Sequence, residues 1–506
     1  MSNQLFTKIR MLYTSKKLPW IIISLGVILR LVQYLFNRSL WLDESFLALN
    51  IIDRSFLELL QPLDYGQVAP IGFLILEKIA VQIFNSSEYA LRLFPFLSGI
   101  ASMFLFYGVA KRFIKSEAVP IALSLFAISE PLIYYSSEVK QYSSDVFIVL
   151  LILYFVARNI HSKRLTTSNI IVFGVLGATV IWFSHPSVFI LAGVGVSLAL
   201  FSFVKKEWGR IARLSISYSF WALSFTLCYL VSFRDQSNNK HMLHAWSASF
   251  MPFPPSSYGD IRWFVDAFFG IFNFPVGLSL SGIAALAFLV GSVAVFLQKK
   301  EQFFILILPI PLVLLASGLH KFPFNGRLLL FLVPCLLLFI AEGVEQIRDK
   351  TKHNSAIIGI ALICLLFLEP SLSASYHLIR PRTKEEIKPV ISYIRDHEQS
   401  GDVLYLSMAS RIAYRYYSKR LNVNINNYIV GLKPKENWVD HINHLNKLRG
   451  NKRVWILFSH ARRSISQGYV NEKFILNYLD SIGERLESFK SDDASVYLYN
   501  LDDREF

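Results

Sequence analysis

Long apolar runs separated by short polar links dominate the chain as far as residue 371. Runs of about 17 to 25 apolar residues can cross a bilayer. Candidates fall at 18–37, 89–110, 118–136, 142–158, 168–184, 187–204, 213–233, 264–297, 302–319, 325–346 and 354–371. The pattern predicts an α-helical multispanning membrane protein of about 11 spans. The run 264–297 is too long for one plain span and reads as holding a short re-entrant piece. Ala69–Phe84 is shorter, begins beside Pro70 and carries Glu77-Lys78 midway. It is expected not to span. Residues 38–88 then form one long first outer loop, lying on the membrane in amphipathic helices.

Beyond Leu372 the pattern changes. Residues 380–506 are charged and hold no spanning run. Alternation predicts strands at 402–407, 453–459 and 495–501, with helices at 384–398, 409–419 and 470–488 between them. The chain therefore divides into a membrane domain, 1–372, and a small extracytoplasmic α/β domain, 380–506. No internal repeat and no glycine-rich phosphate loop is evident. Arg462-Arg463 beside His460 reads as a solvated turn.

Charge settles the orientation. The formal net charge of +15 would suggest a nucleic-acid partner in a soluble protein, but the chain is 53% hydrophobic with 42 Phe, and its mean hydropathy is +0.42. Its basic residues gather in short links between apolar runs, which sets topology in a bilayer. With the N-terminal Lys8, Arg10, Lys16 and Lys17 inside, four more clusters fall inside as well. They are Lys111-Arg112, Lys163-Arg164, Lys205-Lys206 and Lys299-Lys300. A spanning 69–84 would place them all outside. The N-terminus reads as a retained anchor rather than a cleaved signal. Cys228, Cys335 and Cys364 lie in apolar runs and imply no disulfide framework.

This topology collects the polar residues capable of chemistry at the outer face. Asp43-Glu44 sits where the first span meets water, and a carboxylate there can act as a general base or hold a cation. Glu138 and Lys140 lie in the aromatic link Tyr134–Tyr142, and His185 lies in the tight link before Pro186. Lys321 and Arg327 flank the span that starts near residue 325. An arginine at a span end snorkels to headgroups, and its planar fork also suits a phosphate. Asp43 and Glu138 permit a divalent cation without requiring one. Arg30 and Glu130 lie inside spans at matching depth and are expected to form a structural ion pair.

The order of these residues resembles a known family. The first span is followed by Trp41-Leu42-Asp43-Glu44, then by Gln67-Val68-Ala69-Pro70-Ile71-Gly72-Phe73. Ala90-Leu91-Arg92-Leu93-Phe94-Pro95 opens the next span, and Pro131-Leu132-Ile133-Tyr134-Tyr135-Ser136-Ser137-Glu138 and Gly326-Arg327-Leu328-Leu329 come later. Together they resemble the polyprenyl-phosphate-sugar-dependent glycosyltransferases of the GT-C class, on the branch of bacterial relatives of protein O-mannosyltransferases and lipid A aminoarabinose transferase. The resemblance covers residues 18 to about 371. It implies a GT-C-like fold in the inner membrane, and sugar transfer with inversion from a polyprenyl-phosphate donor to a lipid, glycan or protein acceptor outside.

In such a scheme Asp43 is the base, Glu44 its acidic neighbour, and Glu138, Lys140, Tyr142, His185, Lys321 and Arg327 bind substrate. Three departures stand out, the first being Ala69-Pro70 where relatives have a Pro-Pro pair. Leu328 replaces the tyrosine that often follows the arginine, and Lys140 stands where relatives often carry arginine. Two rival readings are a transporter or flippase of lipid-linked saccharides and a polysaccharide polymerase or ligase. A transporter tends to place ionisable residues at the midplane of two matching halves, whereas this chain gathers them at one face. Asp43, Glu138 and Arg327 are expected to converge on one outer cavity.

The orientation is directly testable. A cysteine introduced at Ser116 should resist a membrane-impermeant thiol reagent applied from outside, and one introduced at Ser410 should react. The reverse labelling pattern would invert the topology.

Overall fold

The computed structural model describes residues 15–160, 166–233, 244, 246–349, 354–425, 427–433, 436–460 and 472–502. Arg462-Arg463, Lys163-Arg164 and most of the link 234–245 lie outside the described residues. The chain forms two compact units, one of Met1–Phe36 with Arg54–Pro381 and the other of Asn37–Asp53 with Arg382–Phe506.

The first unit is a helical bundle. Among the described residues, nine helices are long and apolar enough to cross a membrane. Two shorter apolar helices, Val119–Ile128 and Thr167–Val180, stand at two further expected positions. The chain is a multispanning membrane protein. Ile71–Phe84 forms a 14-residue helix in which Glu77 is fully buried and Lys78 nearly so. Burial holds the Glu77 carboxyl well above the usual carboxylate range.

The long run 264–297 resolves into two elements. Tyr258–Asn273 is capped at Ser257, whose side chain accepts from the Asp260 amide while Asp260 reaches back. It turns an apolar stripe of Tyr258, Ile261, Val265 and Phe269 outward. A turn through Pro275 then leads to the span Ser281–Gln298.

The centre of the bundle is Gly326–Arg348, a helix buried around almost its whole circumference, with every residue from Leu329 to Ala341 buried. A helix apolar on all sides can bury all sides. Its closest approach is to Ser281–Gln298, where the two backbones touch. A Cβ built on Gly291 would lie 1.8 Å from the Phe339 carbonyl oxygen, and one on Gly343 would lie 1.8 Å from that of Ala287. Only glycine at both positions permits this crossing.

Arg30 departs from expectation. Its guanidinium donates to the carbonyls of Gly26 (2.9 Å), Ala127 (3.2 Å) and Phe126 (3.3 Å). Among the described residues it makes no ion pair with Glu130. The cause lies at the break between Val119–Ile128 and Glu130–Tyr135. Pro131 has no N–H to offer the Ala127 carbonyl four residues back, so Arg30 supplies the donor.

The second unit is an α/β domain around a five-stranded sheet. Its strands are β1 (Val403–Leu406), β2 (Tyr428–Val430), β3 (Val454–Ser459), β4 (Glu484–Ser491) and β5 (Ala494–Asn500), in the order β2-β1-β3-β5-β4. β1 pairs parallel with β2 and β3, and β5 runs antiparallel to β3 and β4. Ile387–His397 buries Ile387, Val390, Ile391 and Ile394, the spacing of one helical face. The strands expected at 402–407, 453–459 and 495–501 are present. The helix expected over 470–488 ends at Ile482, and β4 takes the remainder. The alternation Arg485, Glu487, Phe489 gave little apolar signal because β4 is an edge strand, largely exposed.

The boundary differs from the expected one. The last span is part of a helix, Asn354–Ile379, that runs past 372. Asn37–Asp53 groups with the α/β domain rather than with the rest of the first outer loop.

The glycine crossing gives a clear stability test. Gly343→Val should destabilise the protein by about 3 kcal/mol or more, as overpacking against backbone leaves no side chain able to yield. Thermal unfolding in detergent would read it as a marked fall in Tm. Gly209→Val should leave Tm nearly unchanged, since a Cβ on Gly209 meets open space.

Candidate functional site

In the first unit, the turn between Glu130–Tyr135 and Tyr142–Phe155 is wholly buried despite its polarity: Ser136, Ser137, Glu138, Lys140 and Gln141 are all at or below 9% exposure. Its serines make this tolerable. Ser136 Oγ donates to the Ile133 carbonyl (2.6 Å) and Ser144 Oγ to that of Gln141 (2.7 Å). Ser143 Oγ donates to the Pro95 carbonyl (2.8 Å). Buried carbonyls left over by the turn are thus paired.

Lys140 Nζ donates to Gln67 Oε1 at 2.5 Å. The Gln67–Gly72 stretch of the first outer loop is also tied to the link between the next two spans. The Gly72 amide donates to the Trp182 carbonyl (2.8 Å), and a Cβ on Gly72 would strike the ring of Phe183 at 2.7 Å. Arg327 lies with its guanidinium carbon 5.5 Å from the centre of the Tyr142 ring. Tyr142 in turn meets Tyr135 edge-to-face at 5.2 Å. A cation held over an aromatic face is oriented while it remains charged.

Of the expected residues, Arg327 is a neighbour of Tyr142, and Glu138 and Lys140 lie in the buried turn just before Tyr142. His185 lies in the link after Trp182, and burial pushes its imidazole down to about 4. Burial thus favours its neutral form. Lys321 is exposed, in the turn after Pro309–Gly318.

Two residues were missed. Gln67 stood inside a quoted motif but drew no attention, being uncharged. Asp145 is 5% exposed, with its carboxylate beside Ser184. A carboxylate one turn into an apolar span was the available signal.

Asp43 and Glu44 lie in the second unit, in the first turn of the helix Leu42–Asp53, where acids suit the helix dipole. The two carboxylates diverge. Glu44 is fully buried and pairs with Arg38 at 3.1 Å, itself 2% exposed. Asp43 remains partly exposed. Among the described residues, no group of three or more His, Cys, Asp or Glu is arranged to hold a metal ion.

The fold defines a class. The chain has a GT-C-like fold, the one it shares with solved structures of GT-C glycosyltransferases. In particular, it resembles ArnT from Cupriavidus metallidurans bound to undecaprenyl phosphate, with TM-score 0.51 and 10% identity over 96% of this chain and 98% of that one. It also resembles the Archaeoglobus fulgidus oligosaccharyltransferase in complex with Zn and sulfate, with TM-score 0.52 and 13% identity over 95% of this chain and 73% of that one. A further likeness is to AglB from Archaeoglobus fulgidus with an inhibitory peptide and a dolichol-phosphate, with TM-score 0.51 and 11% identity over 96% of this chain and 74% of that one. No family model and no curated protein matches the chain.

The buried Arg38–Glu44 pair gives a prediction. Arg38→Leu should destabilise the protein by about 3–5 kcal/mol, because it removes a charge partner from the buried Glu44. Adding Glu44→Leu should restore much of the loss, as a Tm series on the single and double variants would show.

Proposed function

We propose that this protein is a membrane glycosyltransferase. It moves a sugar from a polyprenyl-phosphate donor to an acceptor hydroxyl on the extracytoplasmic face of the inner membrane, with inversion at the anomeric carbon. The observation that carries the reading is a GT-C-like fold extending over 96% of the chain, shared with a structure bound to undecaprenyl phosphate. The basic, aromatic region of Lys140, Tyr142 and Arg327 supports it, since a lipid phosphate needs fixed positive charge beside a membrane.

The chemistry assigns each group a role. The acceptor oxygen attacks the anomeric carbon and forms the new C–O bond. The bond from that carbon to the phosphate oxygen breaks, and polyprenyl phosphate leaves with the bonding pair. Asp43 takes the acceptor proton as general base. Arg327 and Lys140 compensate the charge growing on the leaving phosphate. Glu138 and Tyr142 bind the donor, with the neutral His185 and the exposed Lys321 at its margin. The acceptor is a lipid, glycan or protein hydroxyl.

The likeness to an oligosaccharyltransferase favours one second reading: a ligase that takes a lipid-linked oligosaccharide. The donor separates the two. Purified protein in nanodiscs would be offered undecaprenyl-phosphate monosaccharides and undecaprenyl-pyrophosphate oligosaccharides, and release of the lipid carrier followed. Turnover of the monophosphates alone supports the transferase.

With the active donor, Asp43→Asn should lower transfer at least about a hundredfold while donor binding survives, because a general base is lost without loss of size. Arg327→Ala should instead weaken donor binding by roughly tenfold or more, the usual cost of a charge-assisted contact. Near-normal transfer by Asp43→Asn would end the proposed mechanism.

A further inference from the structure

The residues around Asp43 are held by an uncommonly dense set of contacts, all within the second unit. The Ser39 amide donates to both carboxylate oxygens of Glu386 (3.2 and 3.3 Å), and its hydroxyl donates to Glu386 Oε2 at 2.9 Å. The same hydroxyl oxygen accepts from the Lys388 amide at 3.0 Å. Lys388 Nζ donates to the Asn37 carbonyl at 2.8 Å. The next amide, Leu40, donates to the hydroxyl of Tyr417 at 2.8 Å. Leu42, the first residue of the helix, donates to Glu385 Oε2 at 3.3 Å. Lys384 stands 4.0 Å from the centre of the Trp41 ring. At the far end of the helix, Arg415 pairs with Asp53 at 2.8 Å.

This pattern is more than ordinary packing. The amides of residues 39, 40 and 42 lie outside a completed helix and need acceptors. Every one of them finds its acceptor on a side chain more than 340 positions away. Three of the gripping residues, Glu385, Glu386 and Lys388, are nearly consecutive, at the entrance to Ile387–His397. Glu385 and Tyr417 are almost fully buried, so their contacts are shielded from competing water. The backbone before Asp43 is thereby fixed from both sides, and Arg38–Glu44 locks the next residue.

We infer that the C-terminal α/β domain is the positioning frame for the carboxylate of Asp43, acting through Glu385, Glu386 and Tyr417 on the backbone of residues 39–42. This rests on Asp43 being the base. The three are positioning residues: they touch the loop and not the reacting atoms. A base must lie within hydrogen-bond reach of its proton, and displacement by an ångström can cost a large factor in rate.

A double-mutant test separates positioning from plain support. The full-length enzyme in nanodiscs is assayed for release of undecaprenyl phosphate, using whichever undecaprenyl-phosphate monosaccharide of the panel turns over. Tyr417→Phe removes the acceptor for the Leu40 amide while keeping the ring. It should lower kcat about tenfold or more and leave KM for the donor within twofold. In an Asp43→Asn background the same change should cost less than twofold, because the group it positions is already disabled. Glu386→Gln should behave in the same way, which keeps the test open if one variant folds poorly. Hydrogen exchange at residues 39–42 should quicken in both variants. Equal losses in the two backgrounds, or unchanged kcat with unchanged exchange, would overturn the inference. A fully active Asp43→Asn enzyme would instead overturn the base assignment itself, so the two failures are distinguishable.

Discussion

In a bilayer, backbone polar groups have no water to turn to, and each must find its partner within the protein. Much of the first unit follows from that constraint. Where Pro131 withholds an amide from the Ala127 carbonyl, Arg30 supplies a donor from a neighbouring span. Where the turn before Tyr142 leaves carbonyls over, the hydroxyls of Ser136 and Ser144 take them up. A buried arginine and a run of serines therefore need no catalytic account. They permit helix breaks at depth, and the breaks are what bring polar side chains such as Glu138 and Lys140 into an otherwise apolar bundle.

The same economy of partners shapes the region around Arg327. Lys140 is bound to Gln67, and Arg327 lies over Tyr142. Both contacts orient a cation. Burial favours the neutral form of His185.

The second unit shows a different use of buried polarity. Asp43 and Glu44 are adjacent, yet one is partly exposed and the other sealed against Arg38. A carboxylate pair at a helix start thus divides into one group fully buried in an ion pair and one partly exposed. The side chains that grip residues 37–42 come from the far end of the chain, which is why Asn37–Asp53 belongs with the α/β domain.

Hydropathy alone was enough to read the long apolar helices and three of the five strands. Each of these depends on local period, and burial on one face imposes that period on the residues themselves. The acidic pair, the tyrosine-rich turn and the late arginine were equally legible, as charge inside or beside an apolar run is conspicuous. Other features were not legible. The exposed edge strand β4 carries little apolar alternation, so it read as helix. The partner of Arg30 was misread because a carbonyl, present at every residue, leaves no mark in a sequence, whereas Glu130 does. Gln67 meeting Lys140, and Glu386 meeting Ser39, join residues 73 and 347 positions apart. Local composition thus determined which segments enter the membrane and which residues carry charge. Only the tertiary structure decided which charges meet, because those contacts depend on chain reversals whose partners share no local pattern.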